Sequence, residues 1–423
     1  MNKYIYSFIL LTFSYLCSAA QTVNVNSPAA LQAALDAAVP GQTIAMAPGR
    51  YFQKGGFKIK SGIKGTANQP IKLVGTSDVV LETESVDRTV GTYALYLAGK
   101  NDYWILDGFS VRLAAKGIVT DSASHTIIRN IRVTYIGAEG IHLRSFSSYN
   151  TIENCFVDSM GQDSYMKTNG YAEGIYIGSA NGTNWTKYTG GKPDTCNYNI
   201  VSACSFGDFI PSENIDIKEG TVGGTITGCV FNGKGLNGAN SADSWIDVKG
   251  DRYTIECNTG TTLVGSAANG YQVHENTVNS IVYGHNNIFS NNQANISSGL
   301  YAFYLHKTGM STICNNNTVT GGLLFKGTLT NCTGTASCLT TGIAAHEKNT
   351  SVSLYPNPAS DLISISIPTN TKANYYICDV LGKILKTGSL SADHSTIDIS
   401  SLNNGLYFFN STELNSSMKF IKE

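Results

Sequence analysis

Ser212-Glu213-Asn214-Ile215-Asp216-Ile217-Lys218-Glu219-Gly220 and Ser244-Trp245-Ile246-Asp247-Val248-Lys249-Gly250 are near-copies of one another. Each contains an apolar-Asp-apolar-Lys quartet, the period-two alternation of a short strand with one buried and one polar face. Charges that recur in register with matching apolar neighbours point to stacked copies of one unit. The Asp and Lys columns then lie on its polar face.

The same strand can be followed outward in both directions. It reads Gly117-Ile-Val-Thr120, Gly140-Ile-His-Leu-Arg144, Gly174-Ile-Tyr-Ile-Gly178, Gly270-Tyr-Gln-Val-His274 and Ala302-Phe-Tyr-Leu-His306. Between these run second strands with Asn or Cys beside apolar residues, such as Ile152-Glu-Asn-Cys-Phe156 and Ile226-Thr-Gly-Cys-Val-Phe231. An irregular repeat from about residue 94 to 326, with one strand register per repeat, predicts a parallel β-helix. A propeller would need four antiparallel strands per blade, and Asn-Gly hairpin turns do not organise this chain. Cys155, Cys204 and Cys229 fall at matching places and predict an internal ladder of small buried side chains.

The 423 residues include 43 Gly and 23 Tyr, only 14% are charged, and the net charge is -1. That balance gives no electrostatic case for a nucleic-acid partner. Lys3, the apolar run Ile5 to Leu16 and Ser18-Ala19-Ala20 predict a signal peptide over 1–20, and the run is too short to favour a membrane span. A β-helix domain is expected over 21–338, a linker over 339–351 and a C-terminal domain over 352–423. Cys332 and Cys338 are close enough in sequence to pair along an oxidising export route.

Ser27-Pro28 opens a short helix expected to run through Val39, with Ser as N-cap and Leu31, Ala34, Leu35 and Ala38 as its apolar stripe. Together with Pro40-Gly41 and Pro48-Gly49-Arg50-Tyr51 it resembles the N-terminal cap of secreted right-handed parallel β-helix proteins. Such a cap covers the open end of a strand stack. Residues from 352 onward alternate as short strands, the pattern of a small β-sandwich. Tyr355-Pro-Asn-Pro358, Asp379-Val-Leu-Gly382, Gly405-Leu-Tyr-Phe408 and Lys419-Phe-Ile-Lys422 resemble the C-terminal sorting domain of type IX secretion cargo from Bacteroidota. That resemblance implies a type IX secretion partner and a secreted or cell-surface location. The expected fold is all-β: a pectin-lyase-like right-handed parallel β-helix with an N-terminal capping helix, plus a C-terminal sandwich.

Alternation assigns an outward strip to His142/Arg144, Tyr176/Gly178, Asp216/Lys218, Asp247/Lys249, Gln272/His274 and Tyr304/His306, with Glu139, Glu173 and Glu213 just before the strands. Adjacent Asp216 and Asp247 repel unless a cation or the lysines separate them. Three chemistries suit this strip. It is a solvated ion-pair ladder, a lyase site in which carboxylates hold a cation and Lys or Arg removes a proton, or a glycosidase with Asp216 and Asp247 as its carboxylate pair. A non-catalytic glycan-binding solenoid is the alternative from another class.

The capping helix, the strand Glu173-Gly-Ile-Tyr-Ile-Gly178 and the acidic strand with its downstream lysine resemble the chondroitinase B and alginate lyase superfamily. The resemblance implies eliminative cleavage of an acidic, uronate-containing polysaccharide with Ca²⁺. On it, Lys218, Lys249, Arg144 and His142 are the catalytic candidates. Glu173, Glu213, Asp216 and Asp247 are the metal candidates, with Asn214 at a place where that family has an acidic ligand. Tyr176, Gln272, His274, Tyr304 and His306 would contact sugar, as would Trp185 in the insertion Ser179 to Cys196, which also carries Tyr188 and is expected to fold over the cleft. The family's arginine-bearing Leu-Arg-His-Gly segment is replaced here by Ile246-Asp247-Val248-Lys249.

Overall fold

A strand of three to six residues with apolar side chains on one face cannot bury that face alone, and stacking buries it against its own copies. The computed structural model describes residues 21–263, 269–332, 338, 353–356, 358–366, 373–379, 384–390, 394–411 and 416–423. The expected signal peptide and linker lie outside them. Among the described residues, the first unit is a coil of three parallel sheets with eleven, ten and ten strands. The chain visits the three sheets in turn, as in Ile127–Arg129, Arg132–Ile136 and Ile141–Arg144, then starts the next turn at Thr151–Glu153. The arrangement is a right-handed parallel β-helix.

The register of the third sheet is that of the sequence copies. Ile118, Ile141, Ile175, Ile215, Ile246, Tyr271 and Phe303 pair in one continuous column. All seven are buried in the core. The stack begins earlier than the visible repeats, since Thr22–Val25 already pairs with Thr43–Met46. The capping helix spans Pro28–Asp36, with Ser27 Oγ accepting from the Ala30 N–H at 3.3 Å and Leu31 and Leu35 buried. It ends three residues before the expected Val39, at Ala37 as C-cap.

One corner carries a ladder that changes chemistry halfway. Cys155, Cys204 and Cys229 stack as buried free thiols, followed in register by Asn258, Asn292 and Asn317. Asn258 Oδ1 accepts the Cys229 N–H at 2.9 Å, and Asn258 Nδ2 donates to Ile226 O at 3.0 Å and to Asn292 Oδ1 at 3.0 Å. The expected Cys332–Cys338 pair does not form. The disulfides are Cys257–Cys338 and Cys314–Cys332. Coiling brings residues a turn or more apart into contact, as at the Cys314–Thr330 bridge, so nearness in sequence is a poor guide to pairing here.

The second unit follows the division of contacts near residue 339. Its described residues form two antiparallel sheets of three and four strands around Ile363, Ile365, Ile377, Phe409 and Phe420, a small sandwich.

Removing the Asn258 amide would leave the buried Cys229 N–H without its acceptor and break the side-chain bonds to Ile226 O and Asn292 Oδ1. Asn258→Ala is therefore expected to cost about 2–4 kcal/mol in chemical denaturation of the β-helix unit. A cost below about 1 kcal/mol would show that the ladder contributes little.

Candidate active site

Parallel pairing turns the outward residues into columns. His142, Tyr176, Asp216, Asp247, Gln272 and Tyr304 stand side by side on successive turns. Two residues further along each strand stand Arg144, Gly178, Lys218, Lys249, His274 and His306. Two residues before the buried isoleucines stand Lys116, Glu139, Glu173 and Glu213. The floor is walled by connections that leave the sheet. The segment with the helix Ser164–Thr168 and the 3₁₀ turn Ala239–Ser241 rise on the entry side of the strands, and the helix Thr183–Thr189 and the hairpin Asn276–Val278/Ile281–Tyr283 on the exit side. These walls bury most of the strip: His142, Arg144, Asp216, Asp247 and Gln272 are each at most 3% exposed. A cleft of about 350 Å³ remains over Glu173, Glu213, Asp216, Lys218, Asp247, Lys249 and His274.

Burial makes the charges interact strongly. Lys218 Nζ lies 2.5 Å from Asp216 Oδ2, and Lys249 bridges Asp216, at 3.3 Å, and Asp247. His274 Nδ1–H donates to Asp247 Oδ1 at 2.7 Å. Burial disfavours the charged forms, but the carboxylates outweigh it and raise the pKa of both lysines and of His274. Burial likewise opposes the Asp247 carboxylate, and Lys249 with His274 outweighs it and holds its pKa low. Asp247 is thus not poised as the protonated carboxyl that a two-carboxylate glycosidase requires. His142 behaves oppositely: burial, with Lys116 and Arg144 nearby, pushes it well below its usual pKa. It sits neutral, its Nε2–H donating to the Gly178 carbonyl at 2.9 Å.

Of the four expected metal ligands, the structure gathers three. Glu173, Glu213 and Asp216 each bring a carboxylate oxygen within 4.8 Å of the others. Burial, then the neighbouring Glu139 and Asp216, push the Glu173 carboxyl up to about 8. Burial and the adjacent aspartates push Glu213 well above its usual range. Glu173 Oε2 is buried without a hydrogen-bond partner. Three crowded carboxylates with an orphaned oxygen fit a hard divalent cation. Asp247 is spent on Lys249 and His274 instead. Asn214 turns away from the cleft, its Oδ1 accepting the Asn232 N–H at 2.8 Å.

Trp185 does not face sugar. It is 3% exposed, donates its Nε1–H to Ser179 O at 2.8 Å and packs edge-on against Tyr283. An aromatic side chain in a long insertion packs inward when the insertion folds on itself as a helix, and here its partner Tyr188 is the residue turned toward the cleft. Arg144 is bound to Asp121 at 2.6 and 3.1 Å and stacks under Tyr188 at 4.3 Å. Gln272 donates to Asp243 at 2.8 Å, while Tyr304 and His306 are exposed on the outer turns. Sequence reasoning missed Lys116 and Asp121. Lys116 was findable, because it occupies the place of Glu139, Glu173 and Glu213 one turn earlier, just before Gly117.

The chain matches the Pel9A-like, right-handed β-helix region over residues 14–193. It matches the secretion system C-terminal sorting domain over 353–423. An alginate lyase from Paenibacillus sp. str. FPU-7 is 33% identical, with a TM-score of 0.65, and the match covers 74% of this chain and 99% of that one. The pectate lyase Pel9A shares the fold at 16% identity and a TM-score of 0.55, over 75% of this chain and 82% of that one. Among curated protein sequences none matches. The fold and the relative at 33% identity define a right-handed β-helix polysaccharide lyase. The chain belongs to the Pel9A-like β-helix family of such lyases, and its sorting domain directs it to secretion or the cell surface.

Glu173 also makes a stability prediction. Its folded pKa of about 8 lies above the ordinary 4.5, so folding binds its proton more tightly. That contribution is complete below pH 4.5 and is lost as the pH rises through about 8. In chelator, the melting temperature of the β-helix unit should fall across this window. Glu173→Gln should flatten the fall, and a variant profile parallel to wild type would contradict the assignment.

Proposed function

We propose that the protein cleaves a uronate-containing acidic polysaccharide by β-elimination outside the cell. The observation that carries this reading is a pair of buried ammonium groups, Lys218 and Lys249, beside three clustered carboxylates on the floor of one cleft. The relative at 33% identity is an alginate lyase, and alginate is a polymer of uronates, so alginate is the first substrate to test.

In such a reaction the C5 proton beside the uronate carboxylate is removed. Its electron pair forms the C4=C5 double bond, the bond from C4 to the glycosidic oxygen breaks, and that oxygen takes up a proton. Lys218 is the base in its neutral amine form, reached when its ammonium gives a proton to solvent through the cleft; it lines the cleft, and its one strong partner there is Asp216. Tyr176 is the donor to the leaving oxygen. Burial, with Asp216 and Glu173, raises its pKa well above the usual value, so its hydroxyl stays protonated, and the Lys218 ammonium lies 5.0 Å from its ring. Lys249 keeps Asp216 and Asp247 from repelling one another. His142 lines an adjoining cavity, which shares Glu173 and Lys218 with the first, beside Tyr176 at 4.6 Å, and packs against it rather than moving a proton. Glu173, Glu213 and Asp216 would hold Ca²⁺, which when bound neutralises the substrate carboxylate, acidifies the C5 proton and loosens the hold of Asp216 on Lys218.

Lys218→Arg keeps the charge beside Asp216 but cannot serve as a base at neutral pH. It should lower the ultraviolet absorbance released from alginate by about 10²–10⁴-fold with little change in melting temperature. Full activity in this variant would exclude Lys218 as base. Chelation should abolish the same signal, and added Ca²⁺ should restore it while raising the melting temperature. A chelated enzyme of undiminished rate would remove the metal from the mechanism.

A further inference from the structure

The cleft floor is open at one end and closed at the other. Toward the later turns it runs out through His274 to Tyr304 and His306, both exposed. Toward the earlier turns side chains cross it. Tyr93 stands in the Lys116 column one turn earlier, and its hydroxyl reaches across to Arg144 Nη2 at 3.5 Å. Tyr96 packs edge-on against Tyr93 at 5.1 Å and donates its hydroxyl to Asp121 at 2.5 Å. Asp121 holds Arg144 from below, and Tyr188 lies over the guanidinium from the exit-side insertion. On the entry side Met166 and Tyr171 line the cleft, and Arg88 stacks on Tyr165 at 3.8 Å behind them. The cleft is bounded by Lys116, His142 and Tyr188 and, among the described residues, by none from the strand Tyr93–Leu97.

We propose that Tyr93, Arg144 and Tyr188 form an end wall, so that the polysaccharide enters by a chain end and is cut a fixed, short distance from it. The reading rests on the eliminative function above for its bond-breaking step, but not for its geometry. Lys116 and Lys218 lie three turns apart, ~14 Å at the spacing of neighbouring strands, which leaves room for a short run of sugar rings between wall and base. Lys116 supplies a cation at the blind end: burial opposes its charge, but Glu139 at 2.7 Å outweighs it, and the ammonium persists. An anionic terminal uronate fits that end. A polymer passing straight through does not, because Tyr93 and Tyr188 occupy its path.

Full-length protein acting on long alginate tests the wall through two readouts, fragment length and solution viscosity. The wall predicts one or two short oligosaccharides from the earliest time points, with viscosity largely retained while fragments accumulate. Tyr93→Ala and Tyr188→Ala together should open the end, shift early products to longer lengths and speed the loss of viscosity severalfold per bond cut. Neither tyrosine touches the reacting atoms, and both are only partly buried. A wild-type digest that begins as a broad ladder with immediate viscosity loss overturns the wall, as does a double variant whose product lengths match wild type. Short fragments lacking the absorbance of an unsaturated uronate would support the wall and sink the eliminative reading, so the two claims fail separately.

Discussion

Parallel registry is the constraint on which everything else depends. Each short strand gains its stability from the identical face of the turns before and after it, and a one-residue slip would move the isoleucine column to the outside. The same registry that stacks Ile175, Ile215 and Ile246 inside must stack Tyr176, Asp216 and Asp247 outside. Packing and function are thus two faces of one alignment. The site is crowded with like charges because the fold allows no other spacing, and Lys218 and Lys249 are the local answer to that crowding.

The walls add what registry cannot. An outward-facing strip on a bare solenoid would be fully solvated, and its ion pairs would contribute little. The insertions on both sides exclude water from the strip and convert weak surface pairs into a coupled network. Within it Glu173 and Glu213 are pushed toward protonation while Asp247 is held ionised. The ordinary ion-pair ladder suggested by the Asp/Lys repeat is therefore present, but it is buried on the floor of a cleft rather than solvated.

The strand columns were legible in the sequence because alternation is local and the Asp/Lys copies mark their register. The solenoid, the outward assignment of His142, Tyr176, Asp216 and Asp247, and the thiol column could all be read that way. What depended on the path of irregular loops could not. Trp185 and Tyr188 sit three residues apart in one helix, and only its docking decides which is buried and which lies over Arg144. Cys338 meets Cys257 across a sequence separation of 81 residues, a distance set by the lengths of intervening turns. Asn214 occupies a place where the resembling family has an acidic ligand, and at the strand entrance its amide turns to the Asn232 backbone.

The thiol column has a consequence for the order of events in folding. Among the described residues five cysteines stay unpaired in a chain that also forms two disulfides. Exchange requires a thiolate and access to it, and stacking removes both from Cys155 and Cys229, whose thiols burial pushes well up. The finished coil therefore sequesters these thiols from exchange with the bonded pairs. An unstacked chain has no such partition, and its mispairings would trap the coil open. Oxidation that follows the closing of these turns is shielded from such mispairing, and the two disulfides then fasten the later turns of the stack.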